Sequence, residues 1–205
     1  MDMKTLHVKM TFTEQVLGTT AGDPELHSRF IASKAPDAKS REEEIEQFGV
    51  DEVEERTMTI FPKLDDGTPF IWDYQIRGFF KEACKFLMQS PGTLCAKEKS
   101  KKMKPYKKNV DGLIFVEPRK IPMNLPEDGE MSDLQRPLRA STPVGERIAL
   151  AHSEAAPAGT WAEFDIVLLD DSFEPYVVEW LDYGKYHGML QWRNGGFGRF
   201  EYELS

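Results

Sequence analysis

The stretch from Tyr183 to Phe200 is the part of the sequence that most constrains the fold. It contains five of the 15 glycines of the chain, two arginines and a tryptophan, and it separates a helical pattern from a strand pattern. Glycine adopts positive φ angles without steric cost and lets other groups approach the backbone, so such a loop can follow a chain of phosphates. It can equally be a hairpin that returns the chain to its sheet. The stretch alone leaves both interpretations open.

Runs of alternating apolar residues predict the strands. In the first, Leu6, Val8, Met10 and Phe12 alternate with polar residues. The predicted strands are residues 6–12, 57–61, 70–72, 112–116, 146–151, 160–169 and 199–204. Residues 118–138 contain four prolines and several acidic residues, so a loop is predicted there.

Two helices are predicted between these strands. Asp73 is expected to cap the first, whose apolar residues fall on one stripe, and Ser90 to end it. Cys84 lies within this helix and is expected to be a reduced thiol in the core. Ser172 is expected to cap the second helix and Gly184 to close it. The order strand, helix, strands, helix, strand predicts an α+β fold, a ferredoxin-like (RRM-type) antiparallel sheet with two helices.

Composition limits the chemistry that the chain can perform. Hydrophobic residues make up 40% and charged residues 30%, which is typical of a soluble globular protein. The chain has neither an apolar run long enough to span a membrane nor a signal-peptide pattern, so a cytoplasmic location without membrane contact is expected. Two cysteines and four scattered histidines have no metal-binding spacing. We therefore expect no metal site and no cofactor.

The charge is unevenly distributed along the chain. The net charge is −9, yet residues 97–120 carry nine basic and three acidic residues. We expect a single domain over residues 1–205, with an acidic surface insertion at 32–56 and a lysine-rich loop or hairpin at 91–110. A local excess of positive charge favours contact with phosphates, although a solvated lysine loop is the alternative. The candidate phosphate contacts are Lys101, Lys102, Lys104, Lys107 and Lys108.

The glycine-rich stretch also contains residues suited to a nucleic-acid site. Trp192 offers a stacking face and Arg193 a guanidinium, a pair that fits single-stranded nucleic acid. Trp192 could instead fill the core beneath the loop. His187 could act as the acid or base in RNA cleavage, but no second group is identifiable by spacing. We therefore expect no catalytic residue, with His187 as the one candidate.

Three segments, in this order, resemble motifs of the RAMP superfamily of CRISPR-associated proteins. Phe70–Lys81 resembles the segment that opens the first helix of these proteins, and Glu154–Asp165 resembles the entry to a strand in the middle of the chain. Gly195–Phe200 resembles their C-terminal glycine-rich loop. The resemblance covers residues 5–16, 68–90 and 144–204.

The resemblance implies a fold built on ferredoxin-like, RRM-type domains and a set of nucleic-acid contacts. By position these contacts are Gln75, Arg77, Gly78, Gly195, Gly196, Gly198 and Arg199. The function expected from it is non-catalytic binding of single-stranded, guide-type RNA by a subunit of a CRISPR-type ribonucleoprotein with other protein partners. Two alternatives remain. One is a repeat-cleaving endoribonuclease that uses His187, and the other is a viral RAMP-like protein that docks onto or mimics an effector subunit.

Overall fold

The computed structural model describes residues 3–22, 58–90, 100–142 and 145–205. The chain divides into two compact units. The first contains Met1–Val16, Pro62–Glu130 and Ala156–Ser205, and the second contains Leu17–Phe61 and Met131–Ala155. The predicted acidic insertion at 32–56 lies outside the described residues, as do residues 91–99 of the lysine-rich segment. The expectation of a single domain stays a prediction.

An antiparallel sheet of four strands forms the centre of the first unit. Strand β1 (Lys4–Phe12) lies between β10 (Trp161–Leu168) and β11 (Phe200–Leu204), and β6 (Ile114–Glu117) pairs with the other side of β10. The spatial order of these strands is fourth, first, third, second, which is that of the βαββαβ motif. The predicted α+β, ferredoxin-like fold is therefore confirmed.

Two helices pack on one face of this sheet, α1 (Asp73–Gln89) and α3 (Glu174–His187). The alternating residues Leu6, Val8, Met10 and Phe12 are all buried, as the alternation predicts. The rings of Phe79 in α1 and Phe200 in β11 are 5.7 Å apart, and Phe80 lies 5.4 Å from Trp180 of α3. The core of this unit thus lies between the sheet and its helices, where aliphatic side chains surround a cluster of aromatic rings.

The N-termini of both helices differ from the prediction. Trp72, not Asp73, is the N-cap of α1, because the side-chain oxygen of Gln75 accepts a hydrogen bond of 2.7 Å from the Trp72 N–H. A 3₁₀ turn (Asp171–Phe173) precedes α3, and there the Asp170 carboxylate accepts a bond of 2.9 Å from the Ser172 N–H. The prediction that Ser172 caps the second helix was wrong.

Gly184 does not close the second helix either. Its Cα faces the rings of Phe79 and Phe200 so closely that a Cβ would collide with both. Gly184 is therefore a packing glycine inside α3, which continues to His187. Gly188 ends the helix with a φ of 75°, a left-handed conformation that favours glycine. Gly184 therefore allows α3 to pack closely against α1 and β11, and Gly188 is the glycine that ends the helix.

Two other stretches also differ from the prediction. Within the lysine-rich segment, a 3₁₀ turn (Ser100–Lys102) is followed by a short helix α2 (Tyr106–Leu113), so β6 begins only at Ile114. The loop prediction for 118–138 was wrong, because β7 (Lys120–Pro122) pairs with β5 (Phe70–Trp72) and β8 (Ser132–Thr142) begins inside this range.

The second unit is a sheet arranged around the long strand β9 (Gly145–Ala156). Strand β8 forms an antiparallel hairpin with β9, and β4 (Thr59–Ile60) runs parallel to β9 and pairs with β3 (Thr20–Ala21). Strand β2 (Val16–Leu17) also pairs with β9. The Glu154 carboxylate is buried here and accepts a bond of 2.9 Å from the Phe61 N–H.

No helix in the described part of the chain is long and apolar enough to cross a membrane.

Candidate nucleic-acid interface

The glycine-rich loop after α3 is held at both ends by backbone hydrogen bonds. The Met189 N–H donates to the Gly198 carbonyl at 2.9 Å, and the Gly198 N–H donates to the Gln15 carbonyl at 2.8 Å. Gly198 has a φ of 70°, and a Cβ on it would overlap the Met189 carbonyl oxygen. Only glycine fits this position, so Gly198 is required by the fold of the loop itself.

Gly196 has different surroundings within the same loop. Its φ is 88°, but the atoms nearest to an added Cβ would be those of the Arg199 guanidinium, at 3.9 Å. Gly195, Gly196, Phe197 and Arg199 line an open groove of about 320 Å³ together with Glu14 and Gln15 of the segment after β1. Arg199 is exposed and makes no ion pair with any residue that the structure describes. An available guanidinium therefore lies beside an accessible stretch of loop backbone.

The side chains of Trp192 and Arg193 differ in their exposure and in their contacts within the protein. The Trp192 ring stacks on Phe197 with centroids 4.7 Å apart and stays 38% exposed, so it does not fill the core. A Cβ on Gly195 would come within 2.8 Å of the Trp192 indole, which explains the glycine there. The Arg193 guanidinium is held by Glu82 of α1 at 2.7 Å. Arg193 therefore already has an anionic partner inside the protein.

His187 lies in an aromatic cluster at the end of α3. Its ring stacks on Tyr183 at 4.8 Å and is tilted against Phe86 at 5.6 Å. Burial lowers the pKa of His187, an effect that exceeds the opposing one of Glu82, whose Oε1 lies 3.6 Å from Nε2. The imidazole is therefore neutral at pH 7, and Glu82 is bound to Arg193. This environment supports packing rather than acid–base chemistry.

The three residues at the start of α1 that are predicted to contact nucleic acid have different surroundings. The Gln75 side-chain oxygen caps the helix through its bond to Trp72. The Arg77 Nη2 lies 2.9 Å from an Asp73 carboxylate oxygen, while its Nε is buried without a hydrogen-bond partner in the described structure. Gly78 is exposed, with no atom near its Cα that would meet a Cβ. Binding of nucleic acid by these three residues stays a prediction.

An open groove of about 740 Å³ adjoins Arg77 between the start of α1 and β6. Apart from Arg77, the residues that line this groove were not predicted to bind, above all Tyr74, Phe115 and Arg119. Phe115 could have been found, because its neighbours Ile114 and Val116 are the inward-facing residues of a strand and alternation places Phe115 outside. Tyr74 likewise lies off the apolar stripe of α1. We call this feature the α1–β6 groove.

The five predicted lysines are all exposed on a segment anchored by its buried residues. The carboxylate of the buried Glu179 accepts bonds from both the N–H and the hydroxyl of Ser100, and the Trp180 Nε1–H donates to the Ser100 oxygen at 2.9 Å. Met103 and Val110 are buried as well. The lysines Lys101, Lys102, Lys104, Lys107 and Lys108 make no ion pair with a residue in the described ranges. Their charges are therefore available on an ordered support.

The sheet face opposite the helices has an acidic character. Lys9 and His7 are the basic residues of the strands on this face, and His7 lies 2.8 Å from Asp165. The carboxylates on the same face are Glu117, Glu163, Asp165, Glu201 and Glu203. Such a surface repels a phosphate backbone. The cationic side chains that could meet phosphates lie off this face, on the lysine segment and on the glycine-rich loop.

Among the described residues, no group of three or more histidine, cysteine or acidic side chains is arranged to hold a metal ion.

Comparison with known proteins detects similarity in structure but not in sequence. No family model and no curated protein matches the chain. Among solved structures, the chain is similar to a chain in "Cryo-EM structure of the Type III-B Cmr-beta bound to cognate target RNA", with a TM-score of 0.56 and 8% identity. The match covers 99% of this chain and 61% of the other, so this protein spans less than two thirds of that neighbour. At this identity the likeness concerns the fold alone.

Proposed function

We propose that the protein is a non-catalytic, single-stranded-RNA-binding subunit of a CRISPR-type ribonucleoprotein in the cytoplasm, with guide-type RNA and other subunits as its partners. One observation carries this proposal. The exposed Arg199 guanidinium lies beside Gly196 in an open groove, so a charged donor and an accessible backbone stand together. A phosphate can accept hydrogen bonds from the Arg199 guanidinium, as phosphates do from arginine elsewhere. The Gly196 N–H already donates to the Arg193 carbonyl at 2.8 Å, so Gly196 contributes space for close approach rather than a donor.

The distribution of charge supports the same function in a chain of net charge −9. The acidic sheet face repels the phosphate groups of RNA, whereas the exposed lysines on the anchored segment and Arg199 attract them. RNA would therefore contact limited parts of the surface rather than the whole protein. The structural neighbour belongs to a complex described as bound to target RNA, which is consistent with an RNA-bound role for a chain of this fold.

The test is a comparison of two single-charge variants. Arg199→Ala should weaken binding of single-stranded RNA roughly tenfold or more, because a charge-assisted hydrogen bond contributes about 1.5–3 kcal/mol. The slope of log K against log salt concentration should fall by roughly 0.7. Lys4→Ala is the control, since it removes one exposed charge at the opposite end of β1, where Lys4 pairs with Glu174. Equal binding by both variants would contradict the proposed role of the loop.

A second candidate function is the protein-docking role, which the acidic sheet face favours. In that case the protein would be purified without RNA and would form a stable complex with a basic protein partner. Absorbance of the purified protein at 260 and 280 nm, before and after ribonuclease treatment, separates the two functions. An endoribonuclease receives no support from the neutral, stacked His187.

A further inference from the structure

The α1–β6 groove contains two exposed aromatic side chains that are not part of the hydrophobic core. Tyr74 is 54% exposed and Phe115 is 38% exposed, and both line the groove. Solvent exposure of large aromatic rings costs free energy, and in a concave site it marks a ligand surface more often than an isolated exposed ring does. The two rings belong to different elements, the first turn of α1 and strand β6.

Tyr74 is held in place by its neighbours on the side away from solvent. Its ring is stacked on Trp72 with centroids 5.9 Å apart and an interplanar angle of 18°, and the Arg119 guanidinium carbon lies 5.9 Å from the Trp72 ring. Trp72 in turn packs edge-on against the buried Phe70 at 4.9 Å. A ring fixed in this way loses little conformational entropy when a flat ligand stacks on it.

The charges in the groove decide which part of a nucleotide it suits. Asp73, Glu117 and Asp165 supply three carboxylates, and Arg77 and Arg119 supply two guanidinium groups. Two of the carboxylates are already paired, Asp73 with Arg77 at 2.9 Å and Asp165 with His7 at 2.8 Å. Without an excess of positive charge, the groove gains nothing from a phosphate. A neutral base fits it, because aromatic faces stack on the base while carboxylates and guanidinium groups bond to its polar edge.

We infer that the α1–β6 groove binds an unstacked nucleobase of single-stranded RNA, with Tyr74 and Phe115 as its stacking surfaces. This inference rests on the proposed RNA-binding function and adds a base site to the phosphate contacts described above. The guanidinium groups of Arg77 and the exposed Arg119 line the groove and are the donors available to the polar edge of a base. An arginine side chain of a protein partner is the competing occupant, and it is disfavoured because two of the three carboxylates are already paired and Arg119 lines the groove together with the third.

The experiment measures RNA binding by fluorescence anisotropy with a short labelled oligouridylate over a range of salt concentrations. Tyr74→Ala and Phe115→Ala should each bind roughly 5- to 150-fold more weakly, which is the range for loss of one base–aromatic stack. The salt slope should stay unchanged, because neither change removes a charge that meets a phosphate. Tyr186→Ala and Phe86→Ala are matched controls, since they delete rings that are 71% and 44% exposed outside the groove, and they should bind like the parent.

A second oligonucleotide tests whether the base itself is bound. An abasic strand of the same length keeps its phosphates but has nothing to stack, so the parent and the Tyr74→Ala variant should bind it equally. Photocrosslinking with a 4-thiouridine oligonucleotide should attach the label to the peptides that contain Tyr74 or Phe115. The Tyr74→Ala and Phe115→Ala variants change exposed residues, and their melting temperatures should match that of the parent.

Each contrary result has a distinct meaning. If the parent does not bind RNA at all, the proposed function fails and the base site fails with it. If the parent binds RNA but Tyr74→Ala and Phe115→Ala bind like their controls, only the base site is overturned. A reduced salt slope, or an equal loss of affinity for the abasic strand, would show that the groove does not act by stacking. Unchanged RNA affinity together with weaker binding of an arginine-rich peptide would assign the groove to a protein partner.

Discussion

Replacement of Gly196 by alanine separates the structural role of the glycine-rich loop from a binding role. Gly196 has a φ of 88°, and the nearest heavy atoms to an added Cβ are 3.9 Å away, so there is no steric collision to add to the backbone strain. A left-handed conformation costs an L-residue about 1–2 kcal/mol. For a chain of this length, that free-energy change corresponds to a fall in melting temperature of roughly 2–8 °C.

Gly67 provides a matched control for this change. It has a φ of 86°, no atom within 4 Å of an added Cβ, and a position in the turn before β5. Gly67→Ala should therefore lower the melting temperature as much as Gly196→Ala does. Gly198→Ala should lower it further, because its Cβ would overlap the Met189 carbonyl oxygen and overpacking adds about 1–3 kcal/mol.

The RNA assay then distinguishes the two roles. A Cβ at Gly196 would keep a phosphate backbone away from the loop, so Gly196→Ala should bind single-stranded RNA roughly tenfold more weakly or worse, while Gly67→Ala binds like the parent. Melting is measured by circular dichroism or calorimetry and binding by anisotropy. Parent-like binding by a folded Gly196→Ala variant would refute the contact between loop and RNA. Melting of Gly196→Ala at the temperature of Gly198→Ala would refute the open surroundings of Gly196.

The remaining predictions concern charge, pKa and helix stability. Changing all five lysines of the segment 101–108 to glutamine should reduce the salt slope of RNA binding by roughly 0.7 for each lysine that meets a phosphate, and an unchanged slope would leave them as solvated side chains. Burial raises the pKa of Cys84 to about 11, so in a Cys95→Ser background iodoacetamide should label Cys84 on the order of a hundredfold more slowly than an exposed thiol. Burial lowers the pKa of His187 in the folded protein below its value in the unfolded chain, which is about 6.5. As the pH falls through this value, the unfolded chain is protonated first, so the free energy of unfolding decreases. His187→Gln should then lose less stability than the parent between about pH 7.5 and about pH 5.5, as denaturant titrations would show. Gly78→Ala, at an exposed helical position, should raise the melting temperature by roughly 2–4 °C, and a decrease would mean that the space around Gly78 is not open.

The elements that the sequence predicted well are those with a strong local period. The alternation in β1 and the apolar stripe of α1 each identified the buried face, because the backbone repeats of strand and helix determine which side chains share a side. Strand β8 was missed since its sequence, with Pro137 and several polar residues, has no such period. Its stability comes from pairing with β9, and a hairpin partner is not visible in the strand's own residues.

The sequence by itself determined the class of fold and the buried faces of β1 and α1, because backbone geometry links local pattern to burial. Only the tertiary structure decided what the polar side chains of the candidate site are bound to. Arg193 and Arg199 belong to the same glycine-rich loop, yet Glu82 of α1 holds the first at 2.7 Å while the second lines an open groove. Tyr74 and Phe115 become one site only because α1 and β6 meet in space. A local pattern records which face is buried, whereas a contact depends on a group supplied from a distant part of the chain.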